Sequence, residues 1–442
     1  MDEYLLLKQP HDYRDIDRSS IFGKYFQEPT DIQPYLDASS NTNYLYWDKA
    51  KYLPPINGFT PTESWFLIQQ IRHLSSAQTP IMAANSQFFT FFRPAYADRL
   101  LREIDMKIGG QFLTEKTASE QNADRRRYLT RGIMEESIAS SQLEGADTSR
   151  RYAKKMLTEH IKPRTKSEHM ILNNYEALTK VEEIYKKQPL SLFMLQELQS
   201  ELVKNTLDPA YNPGEFRKDS DEIVVYYDNK IAHTPPSATF VQTELQRLIN
   251  YANDTEFVHP IIKAIQLHFW IGYLHPFPDG NGRLARTIFY WYLLRNDYWG
   301  VAYVPISTVI KRSPHDYTYA YVYAEQDNYD FTYFFDYIVK RIIKAINEFD
   351  NYVNRKSTEN LALISRIKNI APNLNERQIQ AIRYLSQNAN NYTTPSSYSK
   401  LFSVTRKTAS NDLHLLQQLN LVTSRRNGNK IEFYGKLPID YP

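Results

Sequence analysis

Cysteine is absent from the 442 residues. This excludes disulfides and thiolate metal sites and fits a reducing cytoplasm, the expected location. No apolar run reaches the roughly 18 residues of a membrane span, so no membrane partner is expected. The opening Met-Asp-Glu-Tyr-Leu lacks the basic and apolar regions of a secretory signal. Excess charge of one sign is missing too: 53 basic against 50 acidic residues give +3, too little by itself to imply a nucleic-acid or membrane surface. Three signatures are also absent: Gly-x-x-x-x-Gly-Lys-(Ser/Thr), Gly-x-Ser-x-Gly and His-Glu-x-x-His. A P-loop, a serine nucleophile elbow and a helical zinc site are thereby disfavoured. No fixed-period repeat is evident.

What is present is concentrated in residues 275–286, His-Pro-Phe-Pro-Asp-Gly-Asn-Gly-Arg-Leu-Ala-Arg. The apolar-rich stretch Ile261 to Leu274 predicts a helix that Pro276 and Pro278 cannot continue. Leu284 to Leu294 predicts a second helix. Gly280, Asn281 and Gly282 then lie in a turn at a helix N-terminus, where unpaired N–H groups and the helix dipole favour an anion. Arg283 and Arg286 share a helical face and offer forks of donors to phosphate oxygens. His275 titrates in the range useful to a general base. Asp279 is a hard oxygen ligand suited to Mg²⁺ beside phosphates. Asn281 could donate where charge develops. Together these residues describe transfer at phosphorus.

The window fits the signature His-Pro-Phe-x-(Asp/Glu)-Gly-Asn-Gly-Arg-x-x-Arg at every specified position, and so resembles the Fic family. The resemblance implies a mainly α-helical enzyme with a small β-hairpin flap, transferring AMP from ATP to a hydroxyl of a protein side chain. It makes His275 the base, Asp279 the Mg²⁺ ligand, and Gly280, Asn281 and Gly282 the anion hole. Phe277 becomes a core anchor, and Arg283 and Arg286 bind the triphosphate, Arg286 nearest the γ-phosphate. The family's phosphorylating branch carries Lys for the second Gly and lacks the second Arg; Gly282 and Arg286 favour nucleotidyl transfer. Ser140 to Gly145 resembles the family's inhibitory pattern (Ser/Thr)-x-x-x-Glu-(Gly/Asn), with Ser140, Glu144 and Gly145 at the specified places. The resemblance pairs Glu144 with Arg286, where a carboxylate competes with phosphate for the same donors.

Pro213-Gly214-Glu215-Phe216-Arg217, then a β-rich Ile223 to Tyr227, a turn at Asp228-Asn229-Lys230 and a return through Ile231, Ala232 and His233, resemble the family's flap. Ile231, Ala232 and His233 are expected to line the nucleotide, and the hairpin to pair with an extended target. Tyr317 stands where the family closes its adenine pocket, although Thr318 replaces a second tyrosine.

Three regions are expected. Residues 1–110 form an N-terminal helical extension, 111–355 the catalytic core, ended by a polar linker near Arg355 to Thr358, and 373–438 a domain resembling a winged helix. In that domain Thr405, Arg406, Lys407, Thr408, Ser410 and Asn411, with Arg425 and Arg426 on a basic turn, are placed to meet DNA through residues 404–434; protein docking is the alternative. The other expected partners are ATP, a protein substrate that could be the chain itself, and a second copy in a homo-oligomer. The same site could instead remove AMP from a modified protein or use another nucleotide or phosphate-containing donor. The chain could also be a DNA-binding regulator with a sensing core.

Overall fold

Two helices that are buried on nearly every side set the architecture. The computed structural model describes residues 3–27, 31–109, 122–386, 391–428 and 430–436, without the side chains of 122–127 and 360. It divides into Met1–Asn347 and Glu348–Pro442. The domain limits expected at 110, 111 and 438, and Asn429 of the basic turn, lie outside the described residues.

In the first unit, α1 (Arg18–Gln27) is followed by short helical turns and by α2 (Pro61–Leu74). Thr60 and Glu63 close a reciprocal capping box at the start of α2, with Pro61 at its first position. Then come an antiparallel hairpin of β1 (Ala77–Met82) and β2 (Phe88–Phe91), and α3 (Ala97–Ile108). The hairpin departs from the all-helical extension expected there. Buried Arg72 donates to the carbonyls of Ser39 and Leu45 and to the Tyr333 hydroxyl, fastening this region to the helices that follow.

The helices α4 (Asn122–Leu143), α5 (Arg150–Thr158), α6 (Lys166–Glu183) and α7 (Leu192–Val203) come next. Ser149, Thr165 and Ser191 each cap the N-terminus of the helix they precede. The flap hairpin is β3 (Val225–Tyr227) and β4 (Lys230–His233), turned by Asp228 and Asn229, both at positive φ. After α8 (Ala238–Asn253) come the two central helices, α9 (Pro260–Leu274) and α10 (Asn281–Arg295). Thirteen of the fifteen residues in each are buried, so neither shows a polar face. They pack on one another, with α6 and α7 against α10. Then come α11 (Pro314–Gln326) and α12 (Thr332–Ile370), and the division between the units falls within α12, after Asn347. The polar stretch expected as a linker, Arg355 to Thr358, is continuous helix.

The second unit contains α13 (Glu376–Ser386), α14 (Pro395–Leu401) and α15 (Arg406–Gln418), with an antiparallel sheet of β5 (Tyr392–Thr393), β6 (Val422–Asn427) and β7 (Lys430–Gly435) in the order β5-β7-β6. Its core gathers Ile382, Leu385, Tyr398, Leu413, Leu416 and Phe433. Thr405 caps α15, and Thr405, Arg406, Lys407, Asn411, Arg425 and Arg426 are exposed, while Thr408 and Ser410 are half-buried. The chain is mainly α-helical, and no described helix is long and apolar enough to cross a membrane.

Candidate active site

The site grows out of the break between α9 and α10. His275 ends α9 in the left-handed region, at φ 47°. Such a backbone costs a non-glycine residue about 1–3 kcal/mol and persists only where its surroundings enforce it. Arg217 provides that enforcement. Its guanidinium donates to the carbonyls of His275 (2.7 Å), Leu274 (3.2 Å) and Pro236 (2.5 Å), and its N–H to the carbonyl of Pro276. Next to it, Phe216 stacks on the fully buried Phe277 at 4.9 Å. The sequence marked this segment only as the approach to a flap; it clamps the turn that carries the base. Replacing Arg217 by Met leaves buried carbonyls without a donor and should lower stability by about 3 kcal/mol. Urea unfolding checks this: a midpoint equal to that of the native chain would contradict the clamp.

The half-buried His275 points Nδ1 at the carbonyl of Gly272, 3.3 Å away. That contact places the proton on Nδ1 and leaves the lone pair on Nε2. Burial, helped by the charge of His233, lowers the pKa of His275 to about 4, so the ring is neutral at physiological pH. His233 is itself buried. Its Nδ1 lies 2.7 Å from Glu325 and its Nε2 2.8 Å from the carbonyl of Tyr273. Both neighbours are acceptors, so both ring nitrogens carry protons. Burial opposes that charge, but Glu325 outweighs it and raises the pKa of His233. The two imidazoles stand 6.5 Å apart, centre to centre. The expectation that His233 contacts a nucleotide is corrected: both its nitrogens are spent on protein groups. Ile231 and Ala232 are buried, and the N–H and C=O of Ile231 are both engaged by the chain.

Gly280 caps α10 at φ 87°, and a Cβ there would stand 2.9 Å from Val203. Both the conformation and the space require glycine. The carboxamide of Asn281 donates to the carbonyl of Phe277 (2.7 Å) and accepts from its N–H (3.0 Å). The side chain expected to donate to phosphate thus spends its oxygen and one of its two N–H donors on shaping the loop. Buried Gln199, which the sequence did not single out, donates to the carbonyl of Asp279 (3.0 Å) and accepts from the N–H of Gly214 (2.7 Å).

Asp279 accepts from the N–H of Gly280 (2.5 Å) and meets Arg283 at 3.4 Å. Its side chain is 41% exposed. An accessible carboxylate with one oxygen lightly engaged suits Mg²⁺, which takes one or two protein carboxylates and completes its shell with phosphates and water. Arg283 is almost wholly buried and donates to the carbonyl of Leu202 at 2.7 Å. It serves the scaffold as much as any ligand.

Glu144, just beyond the end of α4, reaches across to Arg286 at 2.8 Å. Arg286 also donates to the hydroxyl and carbonyl of Ser140, at 2.8 and 3.0 Å. Burial alone would raise the pKa of Glu144, but Arg286, with Arg283 and His275, outweighs it and holds the carboxyl below its usual range. A Cβ on Gly282 would collide with this carboxylate. An anion thus already sits at the first turn of α10, where the unpaired amides and helix dipole favour negative charge. Nη1 of Arg286 and Nε of Arg283 are buried without a hydrogen-bond partner among the described residues, as donors kept for an oxyanion would be. Gly145 follows Glu144 at φ 91°.

The hydroxyl of Tyr317 lies 2.8 Å from Nε2 of His268, and its ring sits among Tyr321, Phe334 and Tyr337. Thr318 turns back to the carbonyl of Pro314. The structure thus gathers His275, Asp279, Gly280, Asn281, Gly282, Arg283, Arg286, Ser140 and Glu144 at the start of α10.

Known proteins point the same way. Residues 189–293 match the model of the Fic/DOC family. Over 99 residues the chain is 31% identical to "Protein adenylyltransferase Fic" of Nematostella vectensis, covering 22% of this chain and 21% of that protein. Over 67 residues it is 34% identical to "Protein adenylyltransferase fic-1" of Caenorhabditis elegans, covering 15% and 13%. The chain therefore spans about a fifth or less of these relatives' length. In fold it resembles a Fic family protein from Desulfovibrio desulfuricans G20, with a TM-score of 0.53 and 17% identity over 78% of this chain and 98% of that one.

Proposed function

We propose that this chain, a member of the Fic family, is a protein adenylyltransferase that moves AMP from ATP to a hydroxyl side chain of a protein and is restrained by its own Glu144. One observation carries the reading: a carboxylate rests on Arg286 over Gly282, at an anion-favouring helix start whose loop begins with a neutral imidazole. The curated relatives named above as adenylyltransferases support the same chemistry.

The step balances as follows. The acceptor oxygen bonds to the α-phosphorus of ATP and gives its proton to Nε2 of His275. The bond from the α-phosphorus to the bridging oxygen breaks, and pyrophosphate departs with the electron pair. Main-chain amides at Asn281 and Gly282 and the guanidinium of Arg286 hold the phosphate charge. A Mg²⁺ ion, when bound, would sit on Asp279 and neutralise further charge on the phosphates. The protein's contribution is positioning and electrostatics. For phosphate to reach Arg286, Glu144 must leave it.

The test is incubation with Mg²⁺ and ATP labelled at the α- or the γ-phosphorus. Protein should retain the α-label and not the γ-label, with a mass gain of one AMP. Retention of the γ-label instead would overturn the reading.

The buried imidazolium of His233 also sets a pH dependence. With its pKa lowered to about 4, His275 is in the base form above that pH, so kcat/KM should fall only as pH drops toward 4 and stay level up to neutrality. His233→Gln removes a positive charge that disfavours protonation of His275, and should move the acid limb to higher pH. An unmoved limb would show that this charge does not act on the base.

A further inference from the structure

One face of α4 carries a specific contact at every turn. Gly132 lies against the segment Trp299–Tyr303: a Cβ on it would stand 2.2 Å from the carbonyl oxygen of Ala302 and 2.7 Å from Cα of Tyr303. One turn on, Glu136 meets Tyr290 of α10 and Ser307 of the short helix Ile306–Ile310. After a further turn Ser140 holds Arg286, and just past the end of α4 Glu144 reaches Arg286 over Gly282. Tyr290, Arg286 and Gly282 step back along α10 at the same spacing. Residues so spaced share one side of a helix, so α4 and α10 meet in a single antiparallel register.

Glu136 is the costly member of this row. It lies inside the helix and is 3% exposed. Its Oε2 accepts from the hydroxyl of Tyr290 (2.8 Å) and from the N–H of Ser307 (2.9 Å), and its Oε1 accepts from the Ser307 hydroxyl. A buried carboxylate is tolerated where donors surround it. A slip of α4 by one residue would turn Glu136 by about 100° around the helix axis and take it from all three. Fixing helix register is the best-attested use of a buried polar group. Glu136 lies outside the pattern at 140–145, and the transfer step proposed above does not use it.

We propose that Glu136 is a positioning residue for the restraint: it pins α4 against α10 in the register that sets Glu144 on Arg286. The restraint is then tuned about two turns away from the carboxylate that exerts it. The bearing on restraint rests on the reading of Glu144 given above; the pin itself does not.

The test compares Glu136→Ala and Glu136→Gln in the native chain and in the Glu144→Gly chain. Tyr290 keeps an acceptor in the carbonyl of Val304, 3.1 Å away, so the alanine variant orphans few groups. Glu136→Ala should raise transfer of the α-label about fivefold in the native chain and should raise it no further in Glu144→Gly, where no restraint is left to release. Glu136→Gln should keep the native rate, because its carboxamide oxygen can accept from Tyr290 and Ser307 while its N–H donates to the Ser307 hydroxyl. A residue that merely supported the fold would lower transfer in both chains. No rise in a folded Glu136→Ala, or an equal rise in both chains, would overturn the proposal. If Glu136→Ala loses its circular dichroism signal, Tyr290→Phe with Ser307→Ala removes two of the donors instead, and the same comparison decides. The pin has a second readout without nucleotide: amide hydrogen exchange over residues 137–144 should quicken when Glu136 is replaced by Ala, and unchanged exchange refutes it. If Glu144→Gly alone raises nothing, the restraint reading falls, and the exchange result still decides the pin.

Discussion

His275→Ala should reduce AMP transfer at least a hundredfold while leaving nucleotide binding unchanged. A positioned base contributes about 10²–10⁴ in rate, and within the motif window His275 alone supplies a neutral imidazole. The residue at this place must also hold φ near 47°. Alanine also carries a Cβ and is disfavoured there, more so than histidine, which is enriched in that region. His275→Asn is the companion variant, since asparagine tolerates that region best and cannot accept a proton at neutral pH. Both variants should bind ATP by calorimetry as the native chain does, and both should fail to retain the α-label. Transfer by either within threefold of the native rate would remove His275 from the mechanism.

Glu144→Gly should raise transfer tenfold or more. The carboxylate holds one donor of the guanidinium that the phosphate needs, and its side chain is 32% exposed, so its loss disturbs little packing. Each tenfold in rate corresponds to about 1.4 kcal/mol in the barrier, a modest amount for one charge-assisted hydrogen bond. The variant loses a partner for buried Arg286 and should melt slightly lower without ligand. ATP should then raise its melting temperature more than it raises the native one, because the nucleotide restores the missing anion. A folded variant that labels no faster, and whose melting shift with ATP matches the native shift, would show that Glu144 does not restrain the site.

Much of this arrangement was legible in the residues. The motif and its flanking apolar stretches placed the turn between two helices, where local chemistry suffices because prolines end α9 and glycines open α10. The pairing of Glu144 with Arg286, 142 positions apart, followed from the family resemblance. Other features escaped because they depend on contacts distant in sequence. Gln199 reaches Asp279 across 80 positions, and Arg217 reaches His275 across 58. No periodicity encodes such pairs. Asn281 was read as a ligand donor because a single sequence cannot show that its carboxamide closes on Phe277. The hairpin β1-β2 was missed because Pro80 interrupts its first strand, whereas the aromatic and β-branched residues of β3 announced the flap. The polar residues near Arg355 suggested a linker, yet Arg355 and Lys356 have good helix propensity and none of the four is Gly or Pro, so α12 continues through them.

The ring formed by Phe277 and Asn281 has a kinetic meaning. A loop stitched in both directions to its own fourth neighbour is shaped once, during folding, and needs no ordering each time a nucleotide arrives. Under the restraint proposed above, relief then asks for the ion pair of Glu144 with Arg286 to break and its side chain to swing away, with no rearrangement of the loop's backbone.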